Sequence, residues 1–352
     1  MYCTVDGSKS AGYRYVGYQY VGYQYVENWN GNVAMQMGNI HLLQSIAVIF
    51  LVLTLGTVVR LFVLRGAAKN ITGARLGSLK TWWALAVVLS LACLLGNVGI
   101  ILLIAACGAI GLHEFLKLLG PQVLGMPTWI ALYAAGGIYY GFVFLGFDQT
   151  IRCLAPFGFL VVVSSIRSCL GCMVGYIRTT AGSYLGLMLF VYCLSHSYFV
   201  TTLWEFNEPA IGRVGWFLYL VVLTEVSDIA QAIVGRTYGA TKIIPRTSPN
   251  KSLEGLAGGM VISMALAVAI APWLTAWTWK AGWNGVGLAM LSGLVISVFG
   301  FLGGTHMSGI KRDAGVKDGS TLLPGQGGMI DRIDSLIFSA PAFYYFVLIT
   351  TR

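Results

Sequence analysis

From Trp82 to Leu112 the chain runs for 31 residues without a charged side chain. A run of that kind belongs in hydrocarbon, which about 20 helical residues cross. Thirty-one residues are long for one crossing and short for two, and Gly96-Asn97 offers a break in the middle. Backbone polar groups in a bilayer need partners within their own segment or a closed barrel, so long apolar runs read as helices. Further apolar runs fall at about 40–59, 127–147, 154–177, 183–203, 214–235, 256–279, 284–305 and 332–349.

Charge decides how the long run is divided. Only 10% of residues are charged and 57% are hydrophobic, against roughly 25% charged in soluble chains. The net charge of +9 is carried by loops, chiefly 60–80, 236–254 and 306–330. Arg60, Arg65, Lys69, Arg75 and Lys80 form the first of these, with no acid among them. Basic loops stay on the cytoplasmic side, and all three do so only if 82–116 makes two passes. The expectation is an all-α polytopic membrane protein of about ten spans, with 82–116 either two spans or one span plus a re-entrant segment, both termini outside and a polar site at the cytoplasmic face. Basic loops beside anionic lipid account for the charge, and no aromatic-rich basic module for nucleic acid is present. The seven cysteines are scattered, and Cys169/Cys172 has no second pair at zinc spacing.

Residues 1–34 differ from the rest. Tyr13 to Glu27 repeats as YRYVG YQYVG YQYVE; two strands of that pattern are marginal in water, so the segment reads as a dispensable low-complexity tail. Met35 or Met37 is then a second candidate start. Beyond the tail, the chain divides into an N-terminal membrane region, 35–213, and a C-terminal catalytic region, 214–352. The spacings Gly171/Gly175, Gly182/Gly186 and Gly300/Gly304 allow helices to approach closely. Arg167 lies mid-span and needs a partner or a wet cavity.

Two polar blocks interrupt the C-terminal region. Ser308 to Ser335 holds four cations (Lys311, Arg312, Lys317, Arg332) and four acids (Asp313, Asp318, Asp331, Asp334) in 28 residues. Asp331 and Asp334 are three apart at a helix start and share a face; paired carboxylates suit a hard cation such as Mg²⁺. The cations suit phosphate oxygens, and the glycine-rich LLPGQGG run lets backbone N–H groups approach them. In the other block, Asp228 sits inside an apolar run with Glu225 one turn earlier, and an acid within a span is a functional hypothesis by default. The basic loop that follows carries Arg236, Lys242, Arg246 and Lys251, and leads into Ser252 and Glu254, which also fit ordinary helix capping. Spans 256–279 and 284–305 form a hairpin, so both loops emerge together. The residues by themselves point to divalent-metal phosphate chemistry at a membrane face.

The spacing S-x-x-K-R-x4-K-D-x-S-x2-L-P-x-Q-G-G-M-x-D-R-I-D, Ser308 to Asp334, resembles the signature of the phosphatidate cytidylyltransferase family. Gln326 replaces the His usual in P-G-H-G-G, and Gly304 stands where an Asp is expected upstream of Ser308. The earlier block is similar through Asp228, Gly235, Arg236, Ser248, Pro249, Lys251, Glu254 and Gly255. The resemblance covers about 215–345 and implies that CTP and phosphatidate give CDP-diacylglycerol and pyrophosphate. It implies catalytic roles for Lys311, Arg312, Lys317, Asp318 and Arg332, and metal binding by Asp228, Asp331 and Asp334. Substrate binding falls to Arg236, Ser248, Lys251, Glu254, Ser308, Gln326, Gly327 and Gly328. Mg²⁺ is the expected cofactor, with a second cation left open. The expected partners are CTP, phosphatidate and membrane lipids, with a homodimer left open. The expected location is a bacterial inner membrane, with the site facing the cytoplasm. Two rivals are a divergent paralogue using another lipid phosphate and a transporter; no repeated halves support the latter.

Overall fold

The computed structural model describes residues 40–62, 69–120, 125–171, 175–205, 211–277 and 282–350. Along these the helices are α1 (Ile40–Phe62), α2 (Lys69–Leu94), α3 (Gly96–Leu118), α4 (Met126–Phe144), α5 (Asp148–Cys169) and α6 (Tyr176–Leu187). They continue with α7 (Leu194–Phe199), α8 (Val214–Thr237), α9 (Leu253–Leu274), α10 (Gly282–Asp313), α11 (Ile330–Ile333) and α12 (Leu336–Thr350). A π-helical turn, Met188–Cys193, joins α6 to α7, so Tyr176–Leu203 is one apolar segment of 28 residues. Among the described residues no strand forms, and β pairing is limited to the isolated bridges Lys242–Ser252 and Leu323–Gly327.

Nine of these segments are long and apolar enough to cross a membrane. The tenth long helix is α4, 19 residues in which Tyr133, Tyr139 and Tyr140 dilute the apolar side chains. The architecture is therefore all-helical and polytopic. The tyrosine repeat and the candidate starts at Met35 and Met37 lie outside the described residues.

The long apolar run breaks where a break is expected. Gly96 has φ +65°, a left-handed conformation that costs other residues about 1–2 kcal/mol, and it separates α2 from α3. That the chain folds back there, and is not merely kinked, follows from what the two arms touch. Ser78 and Thr81 in the first half of α2 and Glu114 near the end of α3 all hydrogen-bond the one segment 320–330. Several boundaries differ from expectation, and α5 spans Asp148–Cys169 against about 154–177, so that Arg167 falls in its last turn and not mid-span. Helix α2 already begins at Lys69, and α10 continues through Lys311 and Arg312 to Asp313. Basic side chains in a last helical turn offset its exposed carbonyls, which favours that extension.

Between helices in lipid, close packing and hydrogen bonds replace the hydrophobic drive. A Cβ on Gly182 would stand 2.8 Å from Leu119, and one on Gly186 2.9 Å from Phe115, so this pair seats α6 on α3. Gly171 and Gly175 do otherwise; both sit at positive φ in the turn after α5 rather than in a packing face. Hydrogen bonds tie α8 to its neighbours: Tyr219 with Ser292 (2.7 Å), Ser227 with Ser297 (2.8 Å) and Thr224 with Ser339 (3.1 Å). Trp216, Tyr219, Trp277 and Phe343 form an aromatic cluster below them. Arg167 is buried in the last turn of α5. By contrast α1 turns Val52, Leu55, Val59 and Phe62 outward and meets α2 through Trp83.

Candidate active site

The C-terminal halves of α8 and α10, the start of α9, and α11 with the two residues after it converge on a cavity of about 470 Å³. Its walls come from both polar blocks: Glu225, Asp228, Arg236, Ser248 and Lys251 from one, Ser308, Asp331, Arg332 and Asp334 from the other. Trp82 of α2 closes one side. Hence the hairpin α9–α10 does bring the two loops to one place.

Each wall residue is held by its element. Ser252 caps α9 by accepting from Gly255 N (3.2 Å), the capping role foreseen for it. The cap sets the preceding Lys251 against α10, where its Nζ donates to Phe301 O and Thr305 Oγ1, both at 3.1 Å. The ammonium also lies 4.7 Å from the Phe301 ring centroid. Burial pushes Lys251 below the usual lysine range, Asp334 and Asp228 oppose that, and Lys311 adds to it. A Cβ on Gly304 would lie 3.0 Å from Lys251 Nζ, 3.3 Å from Ser335 Oγ and 3.6 Å from Asp334 Oδ2. Thus the space left by the missing Asp side chain borders a cation and a carboxylate.

Asp331 and Asp334 are three apart and line the same cavity, yet their carboxylates are used differently. Asp331 Oδ1 accepts from Lys311 Nζ, and Oδ2 accepts from Gly319 N and Gly328 N, both at 2.8 Å. Asp331 thereby joins the loop backbone to Lys311 of α10. Asp334 Oδ1 accepts from Ser335 N (2.8 Å), and its Oδ2 borders the space beside Gly304. Among the described residues no group of three or more His, Cys, Asp or Glu is spaced to hold a metal by itself. Mg²⁺ is commonly held by one or two carboxylates plus substrate phosphates, and Asp228 with Asp334 fits that donor set better than Asp331.

The glycine loop also departs from expectation. The N–H groups of Gly319 and Gly328 point at Asp331, not at the cavity, and Gly327 O accepts from Leu323 N (2.8 Å). A Cβ on Gly328 would lie 2.5 Å from Glu114 Oε2, and one on Gly327 2.5 Å from Asp331 Oδ2. The glycines make room for protein carboxylates rather than for phosphate. Gln326, expected at the substrate, instead donates from Nε2 to Ser78 O (3.0 Å) and Ser78 Oγ (3.2 Å). Thr81 Oγ1 donates to Pro324 O (3.0 Å), so α2 holds the turn from beneath. Glu254 accepts from Thr241 N (3.0 Å) and braces its own loop.

The expected catalytic cations divide as well. Arg332 lines the cavity, and its buried Nε has no hydrogen-bond partner among the described residues. Lys311 is committed to Asp331. Arg312 is exposed and closes the end of α10 through Val316 O (2.9 Å), while Lys317 and Asp318 are exposed and away from the cavity wall. Glu114 is the residue sequence reasoning passed over. It is an acid at the end of an apolar run, the same signal that singles out Asp228.

A sequence model of the Cytidylyltransferase family matches residues 78–350. The uncharacterized protein YnbB of Escherichia coli K12 is 32% identical over 306 residues, 86% of this chain and 97% of its own. A phosphatidate cytidylyltransferase of Bacillus subtilis is 29% identical over 277 residues, 75% of this chain and 93% of its own. One from Haemophilus influenzae is 38% identical over 129 residues, 37% of this chain and 44% of its own.

Proposed function

The chain belongs to the Cytidylyltransferase family, and from that premise we propose that it transfers the cytidylyl group of CTP to phosphatidate. The observation that carries the reading is the cavity itself. Acids and cations from both polar blocks meet there, at the loop ends of apolar helices, where a membrane lipid and a water-soluble nucleotide can both reach.

In the reaction a phosphate oxygen of phosphatidate attacks the α-phosphorus of CTP. The bond to the bridging oxygen breaks, giving CDP-diacylglycerol and pyrophosphate. The attacking oxygen is already anionic, so positioning and charge stabilisation matter more than a general base. Arg332 and Arg236 face the cavity and supply guanidinium donors for phosphate oxygens. Lys251, desolvated and anchored on α10, adds a fixed positive charge. Ser248 and Ser308 offer hydroxyls at the wall. Mg²⁺, when bound by Asp228 and Asp334, would offset charge on the transferring group and the leaving pyrophosphate. The excess of cations in loops 236–254 and 306–330 favours a site open to the cytoplasm.

A second reading, transfer to a different lipid phosphate, is favoured by the replaced side chain at Gly304 and the turning of Gln326 toward Ser78. One assay separates the two. Purified protein is incubated with radiolabelled CTP, Mg²⁺ and either phosphatidate or a panel of other lipid phosphates. Labelled lipid and pyrophosphate with phosphatidate are the expected result. Labelling only with another lipid phosphate selects the second reading, and no labelling with any of them ends both.

A further inference from the structure

Glu114 is 4% exposed, sits in the penultimate turn of α3, and does not touch the cavity. Its carboxylate accepts three hydrogen bonds, all from the loop on the far side of the sequence. Ser320 Oγ donates to Oε1, Met329 N donates to Oε1 (3.1 Å) and Ile330 N donates to Oε2 (2.9 Å). Ser320 and Ile330 bracket the glycine-rich turn, so one side chain pins both of its ends. Immediately beyond Ile330 come Asp331, Arg332 and Asp334, which line the cavity.

No side chain of the loop itself accepts from the Met329 and Ile330 amides. Met329, which precedes α11, makes no side-chain cap, and Asp331 is directed to Gly319 N and Gly328 N. A Cβ at position 328 would collide with both Glu114 oxygens, at 2.5 and 2.8 Å. The site thus reserves space for a carboxylate from α3. A buried acid without hydrogen bonds would be costly to insert in a membrane helix. Here the cost is offset only when the loop is closed over it, so the acid and the closed loop need each other.

We propose that Glu114 is a positioning residue for the reaction: it clamps the loop 319–330 so that Arg332 and Asp334 are presented to the cavity. The proposal makes the N-terminal hairpin α2–α3 part of the catalytic unit, and it rests on the cytidylyltransfer reading for what the loop is positioned to do.

The test uses full-length protein in detergent, with Glu114→Gln, Glu114→Asp and Ser320→Ala. Two readouts are taken: steady-state kinetics, and hydrogen exchange of amides 315–333 without substrate. Glutamine keeps the size but loses the charge that strengthens these bonds. Glu114→Gln is expected to lower kcat by about tenfold or more while KM for CTP rises by less, because Arg236 and Lys251 reach the cavity from elements that Glu114 does not hold. The Met329 and Ile330 amides should exchange about tenfold faster in the same variant. Glu114→Asp, charged but shorter, should fall between it and wild type, and Ser320→Ala should show a smaller loss. Unchanged exchange, or faster exchange with wild-type kcat, overturns the proposal. If Glu114→Gln does not accumulate, Ser320→Ala removes a partner of the same carboxylate and carries both measurements. Should the wild-type protein make no labelled lipid, the cytidylyltransfer reading fails separately, and exchange alone decides whether Glu114 holds the loop.

Discussion

Asp331 and Asp334 illustrate how little spacing says about use. Helical periodicity puts both on one face, and both do reach the cavity, but Asp331 is consumed by Lys311 and two backbone N–H groups. Their asparagine variants should therefore fail differently. Asp334→Asn and Asp228→Asn are expected to lower turnover by orders of magnitude and to raise the Mg²⁺ concentration needed for half-maximal rate. Asp331→Asn places an amide against the Lys311 ammonium; turnover should fall by about tenfold or more, as for loss of a charge-assisted hydrogen bond, with the Mg²⁺ requirement unchanged. Turnover measured against Mg²⁺ concentration in all three variants checks this, and a shifted requirement in Asp331→Asn would restore it to the metal set. Gln326 offers a milder case. Since it bonds Ser78 rather than lining the cavity, Gln326→Ala should cost about 0.5–1.5 kcal/mol of stability. Its KM for CTP should match wild type, and a large rise in that KM would place Gln326 at the substrate.

At the level of elements, the hairpin α2–α3 depends on one backbone conformation. Gly96 has φ +65°, and a Cβ built there meets nothing within 4 Å. Gly96→Ala therefore isolates the backbone cost, about 1–2 kcal/mol, with no steric complication. Thermal unfolding in detergent should show a correspondingly lower midpoint, and an unchanged midpoint would mean that the turn tolerates a side chain. The effect should extend to the site, because α2 and α3 together hold the glycine loop through Ser78, Thr81 and Glu114. This link joins elements more than 200 residues apart, and no local pattern in either one announces it.

For the molecule as a whole, the orientation in the membrane is the property with the widest consequences. The excess of cations in loops 60–80, 236–254 and 306–330 predicts that they face the cytoplasm. Asp318 is exposed and away from the cavity wall, so Asp318→Cys in a cysteine-free background reports on this without disturbing the site. An impermeant thiol reagent applied to intact cells should leave it unmodified, and modification from outside would invert the topology. The all-helical polytopic architecture, the break at Gly96 and the pairing of the two polar blocks were legible in the sequence. Each follows from what a bilayer or a single residue enforces locally: the length of apolar runs, the sign of loop charge, the freedom of glycine. The partner of each polar group was not legible. Whether a carboxylate faces a substrate or a backbone amide depends on which N–H groups the fold leaves unpaired nearby, and those are set by helices distant in sequence. The tertiary structure alone decided that Asp331 and Glu114 close the loop. It also decided that Gln326 turns to α2 and that the Nε of Arg332 is buried without a hydrogen-bond partner among the described residues.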